Sequence, residues 1–134
     1  TMVTSSEINT SNFHSGDNLK IVINLKSFSI VDDINIMIGL YDSYEEKVCH
    51  FDTQTLNCNV NKESKEVVFF IDRISLISGT YSLNFVLQIL NKSVQIEPNA
   101  LRFYVEPGDY FGSGKNVNSN NRGRYLMDYR IKTA

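Results

Sequence analysis

The chain has 134 residues, of which 42% are hydrophobic and 21% are charged, and its formal net charge is -2. This length lets one domain bury a core without disulfide bonds, so we expect a single domain over residues 1–134. The scattered, balanced charges exclude a basic surface of the kind that binds nucleic acid. No apolar run approaches the roughly 18 residues that a membrane-spanning helix needs. The opening "TMVTSSEINT" indicates a fragment excised from a longer protein.

Apolar and polar residues alternate with period two along most of the chain. In "LKIVINLK" one face carries Leu19, Ile21, Ile23 and Leu25. The same alternation recurs in "INIMIGLYD", "TYSLNFVLQIL" and "LRFYV". It predicts β-strands that bury one face. The segment "KEVVFFIDRI" is apolar on both faces, which predicts a central or covered strand.

Turn signals separate these strands, namely "HSGD", "DSYEEK", "NVNKESK", "ISGT" and "EPNA". No long segment has helical spacing. Seven or eight short strands at this spacing predict an all-β fold, an antiparallel β-sandwich of immunoglobulin-like or jelly-roll type. In "LISGTYSLNF", Tyr81 is either a tyrosine corner, with its hydroxyl tied back to nearby backbone, or an ordinary core residue.

The sequence offers little for catalysis. The segment "GDYFGSGKN" is unlike a phosphate-binding loop because five residues, rather than four, separate Gly108 from Gly114, and asparagine follows Lys115. Neither His14 nor His50 lies near a Gly-x-Ser-x-Gly nucleophile elbow. No acidic ladder has calcium-loop spacing, and two cysteines are too few for a zinc site. We therefore expect a domain that is not an enzyme, with no catalytic residue, no metal and no cofactor of its own.

One face of the predicted sandwich has the composition of a sugar-binding surface. If the strands at 34–41, 82–90 and 101–105 share a sheet, their outward positions carry tyrosines, amides and an arginine. Tyrosine rings pack on the apolar C–H face of a sugar, and amides and arginine make paired hydrogen bonds to neighbouring hydroxyls. Gly39 would leave room for a ring to approach the sheet. The alternative is an ordinary solvated face. As a binding surface it predicts five sugar contacts: Tyr41, Asn84, Gln88, Arg102 and Tyr104.

Four segments occur in the order seen in one protein family: "FHSGDNLKIVI", "INIMIGLYDSYEEKVC", "LISGTYSLNFVLQI" and "RFYVEPGDYFGSGKNV", the last followed by "GRYLMDYRI". Together they resemble the C-terminal domain of Wzt-type ATP-binding subunits of bacterial polysaccharide ABC exporters, the type that exports O-antigen. The similarity covers nearly the whole chain. It is most specific near the end, at Phe103, Val105, Gly108, Asp109, Phe111, Gly112, Gly114 and Gly123.

The resemblance implies a β-sandwich that recognises O-antigen polysaccharide and licenses it for export. It further implies a location at the cytoplasmic face of the bacterial inner membrane, and contact with the exporter's transmembrane subunit through the full-length protein. ATP and magnesium are then expected only in an upstream ATPase domain. The alternatives are a purely structural dimerisation sandwich, or a module of a secreted glycosidase or adhesin. Free thiols at Cys49 and Cys58 would favour the cytosolic location, and an oxidised pair the secreted one.

The end of the chain carries a further expectation. The stretch "EPGDYFGSGKNVNSNNRGRY" holds four of the chain's seven glycines, and this polar connection of roughly 18 residues exceeds ordinary loops. In the family the last strand can cross to a partner, which implies a homodimer that exchanges Tyr125, Leu126, Met127, Tyr129 and Ile131. An intramolecular excursion is the alternative. The family usually ends on a tryptophan where this chain has Ile131, so a tyrosine such as Tyr129 or Tyr125 would have to replace that ring.

Overall fold

The computed structural model of the chain describes residues 2–26, 33–61, 63–117 and 123–133. They form an all-β sandwich of two sheets, as the alternation predicts. Among these residues no helix is long and apolar enough to cross a membrane. The eight strands are β1 (Met2–Ile8), β2 (Asn12–His14), β3 (Leu19–Lys26), β4 (Ile34–Tyr41), β5 (Lys47–Asp52), β6 (Glu66–Ile71), β7 (Gly79–Ile89) and β8 (Lys92–Glu106).

The two sheets differ in size. The smaller has the order β1-β3-β6 and the larger the order β2-β8-β7-β4-β5. Every pair is antiparallel except β2 with β8, which run parallel through Asn12–His14. The predicted sandwich of seven to eight strands is therefore confirmed, with one parallel pair that the alternation did not indicate.

The core lies between the sheets and follows the period-two pattern. All four apolar residues of the β3 face are buried, and the matching positions of β4, β7 and β8 meet them from the other sheet. Fully burying one such aliphatic side chain stabilises the fold by about 1.5–3 kcal/mol. Fully buried residues include Ile21, Ile23, Ile36, Ile38, Leu83 and Val105.

The prediction that "KEVVFFIDRI" is a central or covered strand is wrong. Within the described ranges β6 pairs only with β3, so it is an edge strand, and Phe70 is 71% exposed. Its inner face packs on the core through Val67, Phe69 and Ile71. Residues 67–71 of the strand also border a largely apolar cleft of about 600 Å³ between β5 and β6. Its apolar character on both faces therefore reflects this cleft rather than a covering layer.

The prediction that "EPNA" is a turn is wrong. The segment is an irregular part of the long strand β8. The pairing of β7 with β8 shifts between Leu83 and Phe85, which face Leu101 and Glu97 respectively. The extra residues bulge out, with Asn99 at φ +50. The true hairpin turn is Leu90–Asn91, where both residues have positive φ, as a type I′ turn requires.

Tyr81 is a tyrosine corner. Its ring is buried beside Phe103, at 5.7 Å between ring centroids, and its hydroxyl donates a 2.6 Å hydrogen bond to the carbonyl of Ile77. Burial, together with the nearby Asp42 carboxylate, raises the pKa of Tyr81 to about 12. The hydroxyl therefore stays a donor over the whole physiological pH range.

The last segment returns to its own chain instead of forming a long strand. Tyr125 makes a single antiparallel bridge to Leu76, flanked by hydrogen bonds from Ile77 N to Arg124 O and from Leu126 N to Ser75 O. The strand expected over residues 125–131 is not formed within this one chain. An exchange partner for it stays a prediction.

Candidate functional site

The outer face of the larger sheet brings four of the five predicted sugar contacts into adjacent rows. In the β8–β7–β4 register, Tyr104 lies beside Thr80 in one row. The next row is Arg102, Ser82 and Tyr41. Asn84 then faces Gly39. The fifth residue, Gln88, lies four residues further along β7, about 13 Å from Asn84 at the usual rise of a strand. The structure thus separates Gln88 from the other four.

Tyr41 and Asn84 are held in place by each other and by Gly39. The Asn84 amide accepts a 3.0 Å hydrogen bond from Gly39 N and donates a 3.3 Å bond to the Tyr41 hydroxyl. A Cβ at position 39 would lie 2.4 Å from Asn84 Oδ1 and 2.8 Å from Tyr41 Cε2. The space above Gly39, expected to admit a ligand ring, is therefore filled by the protein's own ring and amide. Gly39 serves to fix these two side chains on the face.

Arg102 and Tyr104 present their polar groups to solvent. Tyr104 is 43% exposed. Arg102 is exposed, and no carboxylate of the described chain lies within 4.0 Å of its guanidinium. An exposed guanidinium without an ionic partner keeps its donors available for a ligand.

Arg102 also lines a polar cavity that sequence reasoning missed. The cavity measures about 300 Å³ and lies between the β4–β5 turn, β7 and β8. The cross-strand positions of Thr80 and Ser82 follow from the sheet register and could have been found from it. The turn residues could not, because the turn folds over the sheet in three dimensions. The polar side chains of the lining are Asp42, Ser43, Glu45, Thr80, Ser82, Asn99 and Arg102.

Asp42 anchors one wall of the cavity. The residue is buried, with 8% of its surface exposed. Its Oδ1 accepts backbone hydrogen bonds from Tyr44 N at 2.9 Å and Glu46 N at 3.0 Å. Its Oδ2 has no well-directed hydrogen bond and lies 2.5 Å from Arg124 Nε. Arg124 also contacts Glu46 at 2.6 Å. The charge on Asp42 is therefore balanced by a residue of the C-terminal segment.

Histidines line two further clefts. A polar one of about 430 Å³ adjoins the glycine-rich loop, where His14 Nε2 lies 3.0 Å from Glu106 Oε2. The apolar cleft between β5 and β6 is bordered by His50 and Asp52, 2.8 Å apart. The Thr55 amide hydrogen bond lowers the pKa of Asp52, and His50 adds to this effect. Sequence reasoning named both histidines but gave no indication of these partners.

The predicted exchange residues fall into two groups. Leu126 is buried with Ile77 and Tyr110, so it is part of a small second core. Its neighbours are exposed, with Met127 at 78% and Ile131 at 80%. Tyr125 and Tyr129 are also exposed, although Tyr125 donates to the Val48 carbonyl and the Tyr129 ring lies 5.3 Å from that of Phe111. Both cysteines, Cys49 and Cys58, are free.

Comparison with known proteins agrees with the fold. The chain is similar to the crystal structure of the C-terminal domain of wzt, with a TM-score of 0.70 and 10% identity, over 99% of this chain and 83% of that chain. At this identity the likeness concerns the fold alone. No curated protein sequence matches the chain. A family profile described as the Wzt C-terminal domain matches residues 1–118. Since this match covers most of the chain, the protein belongs to the Wzt C-terminal domain family.

Proposed function

We propose that this domain recognises O-antigen polysaccharide without catalysis, as the C-terminal domain of the ATP-binding subunit of an ABC exporter. The observation that carries the proposal is the continuous patch of Tyr104, Arg102, Tyr41 and Asn84 beside a polar cavity. Membership of the Wzt C-terminal domain family is consistent with a domain of an ABC exporter subunit.

The patch has the chemistry that sugar chains require. The rings of exposed Tyr104 and half-buried Tyr41 offer flat apolar surfaces to C–H groups, and Arg102 offers forked donors to neighbouring hydroxyls. Asn84 and Gly39 preorganise Tyr41, so little side-chain entropy is lost on binding. Contacts of this kind give dissociation constants from about millimolar to micromolar, or roughly -4 to -8 kcal/mol.

The proposal places the rest of the exporter elsewhere. ATP and magnesium would bind to an upstream ATPase domain, and the transmembrane subunit would be reached through the full-length protein. The location would be the cytoplasmic face of the inner membrane, in keeping with two free cysteines.

Calorimetric titration with polysaccharide purified from the source strain tests the proposal. We expect Arg102→Ala and Tyr104→Ala each to weaken binding about tenfold, or about 1.4 kcal/mol. Lys20→Ala and Phe70→Ala are the matched controls, because these exposed residues lie on the outer face of the other sheet. Unchanged binding in both test variants would move the site off this face.

A second role, dimerisation by exchange of the last segment, is favoured by one observation. Large side chains recur at alternating positions, at Tyr125, Met127, Tyr129 and Ile131, as in a β-strand, yet residues 127–133 are all exposed and form no strand in this chain. We propose that a second copy supplies that sheet. Sedimentation equilibrium of the full chain and of a chain ending at Leu126 tests this role: the full chain should dimerise and the shorter one should not.

A further inference from the structure

We infer that the cavity beside Arg102 is a subsite for one uncharged sugar residue, and that Arg124 maintains this selectivity. The inference rests on the proposed function, since it assigns part of the same face. A volume of about 300 Å³ is at the lower end of ligand cavities, which suits a single sugar ring rather than an oligosaccharide.

The lining selects by hydrogen-bond type. Arg102 only donates, whereas the exposed carboxylate of Glu45 only accepts; the carboxylate of Asp42 is buried and already engaged by backbone amides and Arg124. Each hydroxyl of a neutral sugar both donates and accepts, so a ring carrying several hydroxyls can satisfy both kinds of group together. A sugar carboxylate that pairs with Arg102 would also be repelled by Glu45, and an ammonium that pairs with Glu45 would also be repelled by Arg102. The hydroxyls of Ser43, Thr80 and Ser82 and the amide of Asn99 add neutral partners.

The charge balance depends on a residue outside the cavity. Asp42 and Glu45 carry two negative charges in the lining, and Arg102 carries one positive charge. Arg124 supplies the second positive charge through its 2.5 Å contact with the buried Asp42 Oδ2. Glu46, the other partner of Arg124 at 2.6 Å, lies outside the lining and does not face the cavity. Without Arg124, the wall at Asp42 would hold an uncompensated carboxylate that attracts cations.

Three methyl glycosides that differ at one charged substituent test the inference: a hexopyranoside, its uronate and its 2-amino-2-deoxy analogue, each in gluco, galacto and manno configuration. Binding is followed by amide NMR shifts of Thr80, Ser82 and Arg102, up to about 100 mM, above the millimolar constants expected for single sugars. We expect a neutral glycoside to bind at least tenfold more tightly than its charged analogues. Tighter or equal binding of a charged analogue overturns the inference, as does the absence of shifts with all nine.

Arg124→Gln tests the role assigned to that residue. The ratio of amine to neutral affinity should rise about tenfold, whereas Arg124→Lys should keep the original ratio. Arg130→Gln, an exposed arginine of the same segment, is the control. Because affinity ratios within one variant are compared, a modest loss of stability does not mimic the effect. An unchanged ratio in Arg124→Gln refutes the role.

The two proposals fail separately. If the polymer depends on Arg102 and Tyr104 but no glycoside enters the cavity, only the subsite is lost. If the polymer is indifferent to both residues, the proposed function itself is wrong.

Discussion

Gly39→Ala is the sharpest test of how the outer face is built. Residue 39 has no positive φ, so the backbone tolerates alanine and the effect comes from crowding alone. The new methyl group would lie 2.4 Å from Asn84 Oδ1 and 2.8 Å from Tyr41 Cε2, well inside contact distance. Both side chains must therefore move, and the 3.0 Å bond from Gly39 N to Asn84 must lengthen or break.

The expected cost follows from these contacts. Overpacking of this kind costs about 1–3 kcal/mol, and the lost hydrogen bond adds about 0.5–1.5 kcal/mol. Alanine returns about 0.4–1 kcal/mol by restricting the unfolded chain. We expect the free energy of unfolding to fall by about 2 kcal/mol. Polysaccharide binding should weaken as well, because Tyr41 loses its position.

Urea unfolding of a double-mutant cycle measures the crowding directly. Asn84→Ala removes the nearest atom, so Gly39→Ala should cost about 1 kcal/mol less in that background than in the wild type. Additive effects within about 0.3 kcal/mol, or a single variant as stable as the wild type, would refute the assigned role of Gly39.

Three other predictions concern ionisable groups. The folded-state pKa of Tyr81 is about 12, above the ordinary value of 10, so the neutral hydroxyl stabilises the fold and this stabilisation should be lost as pH rises from about 10 to 12. In urea unfolding at several pH values, Tyr81→Phe should flatten this part of the stability profile. The folded-state pKa of Asp52 is lowered, so its contribution should be lost as pH falls below about 4, and Asp52→Asn should flatten that acid decline. Thiol titration should find two free thiols, with exposed Cys58 reacting faster than Cys49, whose pKa is raised by burial; equal rates would contradict this order.

The alternation of side chains was enough to predict most of the sandwich. The inward residues of β3, β4 and β7 could be predicted directly, since apolar residues alternate with polar ones along a strand that buries one face. The same pattern placed Tyr41, Asn84, Arg102 and Tyr104 on one outer face, because three neighbouring strands shared a sheet. The local pattern is sufficient here because the inward or outward direction of each side chain depends only on its position along its own strand.

The remaining features depend on contacts between distant segments. Nothing in "KEVVFFIDRI" distinguishes an edge strand beside an apolar cleft from a covered one, since both favour apolar residues on two faces. The bulge at "EPNA" resembles a turn in sequence because both tolerate proline and a residue with positive φ, here Asn99. The cavity beside Arg102 is completed by Glu45, which comes from a turn. It also depends on Asp42, which is held by Arg124 from the far end of the chain. No local pattern records such a pairing.

The C-terminal segment leads to a final prediction about exchange. A segment that crosses between copies makes the same contacts with the partner that it would make with its own chain. If the whole segment from Gly123 crosses, Leu126 fills the partner's small core beside Ile77 and Tyr110, so Leu126→Ala should weaken the dimer about tenfold or more in sedimentation equilibrium. If only the residues beyond Leu126 cross, Leu126→Ala should lower the stability of each copy and leave the dimer constant unchanged, whereas Met127→Ala, exposed in the single chain, should weaken the dimer. A dimer insensitive to both substitutions would mean that this segment does not join the two copies.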